Sequence, residues 1–397
     1  VMHTFWCALN LSILRGRDWM KELGIYIHIP FCRSKCYYCD FISFPKLDNK
    51  IDGYVDYIIK EMDLYQNLLG EYQVKTIFIG GGTPSYLEGQ YIYKILYNIY
   101  KKFNGEKIEE ITIEANPGTL NKEKLKIYKE IGINRISLGV QSLNDSLLKE
   151  IGRTHTSMDF YNSYELIRNI GFENVNVDLM FGLPNQTMDD CMRTLEEMVR
   201  LNVEHISYYS LILEENTLMN KWYKEGKIKL PNEDIEREMY HNGIKYLERN
   251  GYKHYEISNF SKEGFQCKHN LIYWKVKPYV GFGIAAHSNL KGKRFWNYNN
   301  FNKYYESLDK GIFPTEGEEN IDKRMEIAEY LILGLRLIEG INKKDFLNRF
   351  NIKVEDIYED ELKKHKEQGL LYIDDEWIRF TSRGLDLSDI VNIDLLP

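Results

Sequence analysis

The stretch Tyr26-Ile27-His28-Ile29-Pro30-Phe31-Cys32-Arg33-Ser34-Lys35-Cys36-Tyr37-Tyr38-Cys39-Asp40-Phe41 divides into two parts with different physics. Residues 25–29 alternate isoleucine with tyrosine and histidine and predict a strand, which Pro30 ends by withholding a ladder donor. The loop behind it packs three thiols, Cys32, Cys36 and Cys39, into a short run. Three thiolates are one short of a closed four-ligand site. A cluster of four irons held by three cysteines keeps one iron without a protein ligand, and that iron can bind something from outside the chain.

Working outward, the strand-then-helix rhythm repeats. A helix is predicted over residues 50–69, then a strand over 76–79 that runs into Gly80-Gly81-Gly82-Thr83-Pro84-Ser85, then a helix over 91–103. Strands at 111–114, 135–139, 175–180 and 205–210, with helices at 122–131, 160–170 and 189–201, complete six βα units. Serial βα units imply a parallel sheet, and here an α/β fold of partial (β/α)6 TIM-like barrel type over residues 20–215. Polar residues recur at the strand ends: the cysteines, Gly81, Glu114, Gln141, Asp178 and Tyr208. Singly each reads as a cap or turn residue. Parallel barrels carry their chemistry at the carboxyl ends of strands, so the recurrence predicts that these residues face one cavity.

Beyond Leu218 the rhythm breaks. Residues 216–320 read as an extension of the barrel, with a helix over 233–250, the run Tyr255-Glu256-Ile257-Ser258-Asn259-Phe260, and an aromatic, glycine-rich stretch through Trp296. Helices at 326–337, 343–350 and 354–368, followed by a hairpin of 370–373 and 377–381, predict a winged-helix-like α+β domain over 321–397. That shape often holds DNA, but acidic residues outnumber basic ones in this tail, and the 397-residue chain carries a formal charge of −7. The sign is wrong for a phosphate backbone, so no nucleic acid partner is expected.

Hydrophobic residues make up 43% and charged residues 28% of the chain, and no apolar run reaches the ~18 residues that suggest a membrane span. An integral membrane segment is therefore not expected. Cys7, Cys191 and Cys267 are scattered, which reads as a reduced, cytoplasmic chain rather than a disulfide framework. In residues 1–19 an apolar run is followed by Arg15 and Arg17, the reverse of a secretory signal. Met20 begins a natural-looking start, so residues 1–19 are expected to be an upstream extension with no part in the chemistry.

Zinc competes for the cysteine loop, but it would need a fourth ligand in His28 or something remote. A redox role for Cys36-Tyr37-Tyr38-Cys39 lacks a thioredoxin-like setting. The spacing Cys32-xxx-Cys36-xx-Cys39, with Gly80-Gly81-Gly82-Thr83-Pro84 one βα unit later, resembles the radical S-adenosylmethionine (SAM) enzymes. In that family the open iron of a [4Fe-4S] cluster chelates SAM, and an electron from the cluster cleaves a carbon–sulfur bond to give a 5′-deoxyadenosyl radical. Tyr26-Ile27-His28-Ile29-Pro30-Phe31-Cys32, Ser137-Leu138-Gly139-Val140-Gln141-Ser142, Gly152-Arg153-Thr154-His155 and Asp178-Leu179-Met180-Phe181-Gly182-Leu183-Pro184 narrow the resemblance to the oxygen-independent coproporphyrinogen III oxidase group. The resemblance implies Cys32, Cys36 and Cys39 as cluster ligands. It implies Tyr26, Gly81, Gly82, Thr83, Glu114, Gln141, Arg153 and Asp178 as SAM contacts, with Arg153 suited to the methionyl carboxylate and the two acids to amino or hydroxyl groups.

One position departs from the oxidases, which resemble one another in a fourth cysteine two residues after the third. Here it is Phe41, which puts porphyrinogen decarboxylation in doubt and matches a sister group of haem chaperones. Cys267-Lys268-His269-Asn270-Leu271-Ile272-Tyr273-Trp274 carries that group's His-Asn-x-x-Tyr-Trp pattern. The resemblance implies haem as ligand, with His269 as its axial ligand and Tyr273 and Trp274 as ring surface; His287 and Cys267 stay open as rivals. It also implies haem-accepting respiratory proteins as partners, and it is compatible with a homodimer and with peripheral membrane contact. The alternative is an oxidase of porphyrin biosynthesis.

Overall fold

β1 (Lys21–Ile29) sets the architecture. Leu23, Ile25, Ile27 and Ile29 are wholly buried on one face, and the period of two turns Tyr26 and His28 to the other. The computed structural model describes residues 20–397; the expected extension at 1–19 lies outside them. After the cysteine loop come α1 (Ile51–Tyr65), β2 (Tyr72–Gly81), α2 (Gly89–Lys102), β3 (Glu110–Ala115) and α3 (Lys122–Glu130). β4 (Arg135–Gln141), α4 (Ser157–Ile170), β5 (Asn174–Phe181), α5 (Met188–Arg200) and β6 (His205–Ser210) follow. α4 and α5 start on capping boxes, Thr156 with Asp159 and Thr187 with Asp190, which satisfy the first orphan amides of each helix. β1 through β6 pair in parallel and in sequence order, giving the arc of the expected partial barrel.

The sheet does not stop there. Residues read as irregular supply both of its edges. After α6 (Glu233–Arg249), β7 (Lys253–Glu256) and β8 (Asn259–Ser261) extend the β6 side. After α7 (Lys268–Trp274), β9 (Tyr279–Phe282) pairs in parallel with the free side of β1. β10 (His287–Leu290), β11 (Lys293–Asn297) and, past α8 (Phe301–Asp309), β12 (Thr315–Asn320) continue it antiparallel. The twelve-stranded order is β12-β11-β10-β9-β1-β2-β3-β4-β5-β6-β8-β7. Strands this short, separated by left-handed turn residues such as Val276, Ala285 and Lys291, leave too few alternations for a period of two to show.

This added wing is tied to the barrel by a buried acid. Glu61 on α1 is wholly buried and accepts from Gly283 N at 2.8 Å, Asn297 Nδ2 at 2.6 Å and the Tyr304 hydroxyl at 2.6 Å. Burial pushes its carboxyl from 4.5 up to about 7 against those three donors. The folded state therefore binds a proton that the unfolded chain releases, and the Glu61 contribution to stability falls as pH rises from about 4.5 to about 7 and then levels. Glu61→Gln is expected to flatten that slope in urea unfolding at stepped pH; an unchanged slope would assign it to other groups.

The C-terminal part builds its own core around Leu331, Phe346, Phe350, Leu362 and Ile378. α9 (Lys323–Gly334), β13 (Ile341–Asn342), α10 (Lys343–Phe350), α11 (Glu355–Glu367), β14 (Leu371–Ile373) and β15 (Trp377–Phe380) run in that order. The expected hairpin is β14 with β15, and β13 adds a third strand on the far side of β15. Backbone bonds from Ile257 N to Arg336 O and from Ile338 N to Tyr255 O dock this part on the barrel extension.

Candidate functional site

At its base the cysteine loop is closed by a short parallel bridge, Phe31 with Phe44 and Cys32 with Pro45. Its middle is clamped by backbone bonds from Tyr37 N to Ile151 O and from Met219 N to Tyr37 O, with the Tyr37 ring edge-on to Trp222. Cys32 is buried, and Cys36 and Cys39 are half-buried. Cys32 Sγ lies 3.5 Å from Thr83 Oγ1, and Arg153 Nη1 donates to Cys36 Sγ at 3.5 Å. Burial, with Cys36 adding its repulsion, lifts the Cys39 thiol to about 11, and burial raises Cys32 as well. Thiols crowded in this way ionise when a cation takes up their charge. Among the described residues no three His, Cys, Asp or Glu side chains converge as ligands of a single ion. In a four-iron cluster each thiolate takes a different iron, an arrangement that three thiols spaced along one loop can supply.

The glycine run folds back on this loop: Gly82 N donates to Ile29 O at 2.8 Å and Thr83 N to Phe31 O at 2.9 Å. Side chains would ruin the fit. A Cβ on Gly82 would stand 2.9 Å from Cys32 Sγ, and one on Gly81, where φ is +111°, would stand 2.6 Å from the His28 ring. Beneath it opens a cavity of about 150 Å³ lined by the three cysteines, Gly81, Gly82, Thr83, Glu114, Gln141, Arg153 and Asp178. Glu114 accepts from Gly81 N at 3.1 Å, and burial, then the charge of Asp178, pushes its carboxyl up to about 8. Asp178 is also raised by burial, although Asn176 at 2.8 Å and Ser137 at 3.2 Å donate to it. Two buried acids facing one another form a well for a cation. Gln141 sits in the left-handed region at φ 60°, and its Oε1 has no hydrogen-bond partner among the described residues. A strained backbone carrying an orphan acceptor fits a pocket shaped for a polar ligand.

Sequence reasoning missed Asn116 and Tyr209 among the residues that line this cavity. Asn116, two past Glu114, accepts from Arg153 Nη2 at 2.7 Å and donates to Thr83 Oγ1 at 3.0 Å, linking the glycine run to the guanidinium; Arg153 Nη2 also donates to Gly139 O at 2.6 Å. Asn116 was findable as the next polar residue past a strand end. Tyr209, not Tyr208, lines the cavity. Tyr208 is turned away, its hydroxyl donating to Met239 O at 2.9 Å and lying 2.7 Å from Cys191 Sγ. A period of two makes a one-residue misplacement switch faces.

Tyr26 lines an adjoining groove, its hydroxyl 3.1 Å from His28 Nδ1. His269 lines neither space, although its partner Tyr273 lines that groove. His269 is 1% exposed, its Nδ1 is 2.7 Å from Thr76 Oγ1, its Nε2 is 2.8 Å from the Tyr273 hydroxyl, and its backbone N donates to Glu110. Ligation of iron by this ring requires one of those side-chain bonds to break. Cys267 is wholly buried beside Glu110, the Arg336 guanidinium covers the Trp274 ring at 4.4 Å, and His287 is exposed.

Comparison with known proteins fixes the family. The family model for the Radical SAM superfamily matches residues 26–198, and that for the HemN C-terminal domain matches residues 321–387. The heme chaperone HemW of Lactococcus lactis subsp. lactis (strain IL1403) is 39% identical over 374 residues, spanning 94% of this chain and 96% of that protein. This chain belongs to the HemW family of radical SAM proteins. The HemW proteins of Bacillus subtilis (strain 168), 38% identical over 90% of this chain and 95% of theirs, and Escherichia coli (strain K12), 32% over 92% and 96%, agree. The solved structure of the E. coli coproporphyrinogen III oxidase HemN superposes with a TM-score of 0.83 over 97% of this chain and 93% of its own; at 22% identity it shares the fold. Membership of the radical SAM superfamily implies a [4Fe-4S] cluster and SAM, and the thiols, the glycine cradle and the facing acids suit both. No helix among the described residues is long and apolar enough to cross a membrane.

Proposed function

We propose that this HemW-family chain is a haem carrier, holding a [4Fe-4S] cluster and SAM and passing haem to respiratory haem proteins in the cytoplasm. The observation that carries the reading is Phe41. Where the oxidases have a further cysteine, this chain presents an apolar ring, 63% exposed, on the wall between the cluster cavity and the adjoining groove. A ring at that position offers a surface to a flat apolar ligand and no ligand to iron.

In this reading Cys32, Cys36 and Cys39 hold the cluster, which when bound can deliver an electron to the SAM sulfonium. Arg153 holds the methionyl carboxylate with its guanidinium fixed by Asn116 and Gly139 O. Glu114 and Asp178 accept from the amino group or ribose hydroxyls, Gly81, Gly82 and Thr83 supply close-approach backbone, Gln141 offers its free Oε1, and Tyr26 closes the side toward the groove. Residues 20–215 carry the cluster and SAM, residues 216–320 supply the haem surface, and residues 321–397 brace it; a homodimer and peripheral contact with membrane-bound acceptors belong to the same reading.

The test is anaerobic reconstitution of the full chain with iron and sulfide, then SAM and reductant. Separate assays follow coproporphyrinogen consumption and haem transfer to an apo haem protein. Transfer without porphyrinogen turnover is the expected result. Catalytic decarboxylation would replace the carrier reading with the oxidase.

A further inference from the structure

A histidine that ligates haem iron needs a ring nitrogen with a free lone pair, reachable by a rigid disc that cannot thread into a packed interior. Most described histidines fail one condition or both. His28 is held at both nitrogens, by the Tyr26 hydroxyl and by Ile42 O. His155 and His254 are buried on backbone carbonyls, His205 is wholly buried between Asn176 and Tyr255, and His241 and His365 are committed to Asp386 and Asp394. His269 is sealed between Thr76 and Tyr273. His287 alone among the described histidines is exposed, and its ring makes no hydrogen bond to any described residue.

Its surroundings suit a porphyrin. His287 opens β10, and the Trp296 ring of β11 stacks behind it, centroids 5.7 Å apart and 23° from parallel. That contact fixes the imidazole plane without using a nitrogen. In front lies a groove of about 430 Å³, within the range of small-molecule sites, lined by Tyr26, Phe41, Ile42, Tyr273, Tyr279 and His287. Tyr273 and Tyr279 meet edge to face at 4.7 Å. Phe41 belongs to this groove and to the cluster cavity at once. On the cluster-cavity side of Phe41 the exposed Lys35 ammonium donates to Phe41 O at 3.0 Å and keeps further protons for a carboxylate, while Asp40 on the groove side directs acidic side arms toward Lys35. Partial desolvation by the groove walls, and then the nearby Arg294 charge, hold the His287 imidazole toward its neutral form.

We propose that haem docks in this groove with His287 as its axial ligand, Phe41 against the porphyrin and Lys35 at a propionate. The inference rests on the haem-carrier reading and gives it a location, while leaving His269 the task of tethering α7 to β2. It follows that the haem would lie beside the cluster cavity, with Phe41 as their shared wall.

The test is haemin titration of the full, cluster-loaded chain followed through the Soret band. His287→Ala is expected to lose the histidine-ligated spectrum and at least about tenfold in affinity, and exogenous imidazole is expected to restore the band by filling the vacated position. Phe41→Ala should weaken binding while keeping that spectrum. A His287→Ala chain that binds haemin with unchanged affinity and spectrum would overturn the site. So would a His269→Ala chain that keeps its far-UV circular dichroism but loses the ligated spectrum. Failure of the unsubstituted chain to take up stoichiometric haemin would instead remove the carrier reading, and the site with it.

Discussion

Cys36→Ser is expected to leave the anaerobically reconstituted chain without a stable four-iron cluster. Iron and sulfide per chain should fall to background, and the brown visible absorption should vanish. The reasoning is one of counting: three thiols stand in the loop, and two thiolates with a hard, weakly acidic hydroxyl cannot hold a cluster that already lacks a fourth protein ligand. The fold should survive, because Cys36 is half-buried and its side-chain hydrogen bond among the described residues is the 3.5 Å bond from Arg153. Circular dichroism and the unfolding midpoint check that point. Full iron loading of Cys36→Ser would show that the cluster assignment of this loop is wrong.

The second large effect belongs to the facing acids. The double variant Glu114→Gln, Asp178→Asn should bind SAM on the order of 30- to 100-fold more weakly, the loss of a charge-assisted contact of about 2–3 kcal/mol. Without SAM the same variant should be more stable at pH 8, because two buried carboxyls no longer oppose each other. A simple loss of folding would move both quantities the same way. In the unsubstituted chain Glu114 holds its proton up to about pH 8, so binding a cation at pH 7 must expel it. SAM affinity should therefore climb from pH 6 to about 8 and level above, and Glu114→Gln should remove the climb. Titration calorimetry at stepped pH reads both. Unchanged affinity in the double variant would sink the SAM assignment.

The barrel was legible because its signals are local. A strand handing over to Cys32, Gly81, Glu114 or Asp178 shows within a dozen residues, and the βα spacing orders those strands without any long-range information. The structure brings the cysteines, Gly81, Gly82, Thr83, Glu114, Gln141, Arg153 and Asp178 to one cavity for that reason. What stayed hidden depends on contacts distant in sequence or on a single step of register. Tyr208 and Tyr209 differ only in which face they take. The surroundings of His269 are made by Thr76, 193 positions away, and nothing near His269 in the chain announces that its ring will be sealed. The wing of β9 to β12 hid behind strands of four to six residues, and with it went the groove in front of His287.

The pairing of β1 with β9 has a consequence for how the chain is made. Ile27 meets Phe282 across that ladder, so the first strand of the barrel waits for a neighbour about 250 residues downstream. At ribosomal speeds of roughly 5–20 residues per second that wait lasts on the order of 10–50 s. Through it one edge of a strand with a fully apolar face stands unpaired next to three reactive thiols. The nascent chain is most exposed to mispairing and oxidation in that interval, and the cysteine loop gains its finished shelter when the wing arrives to close β1.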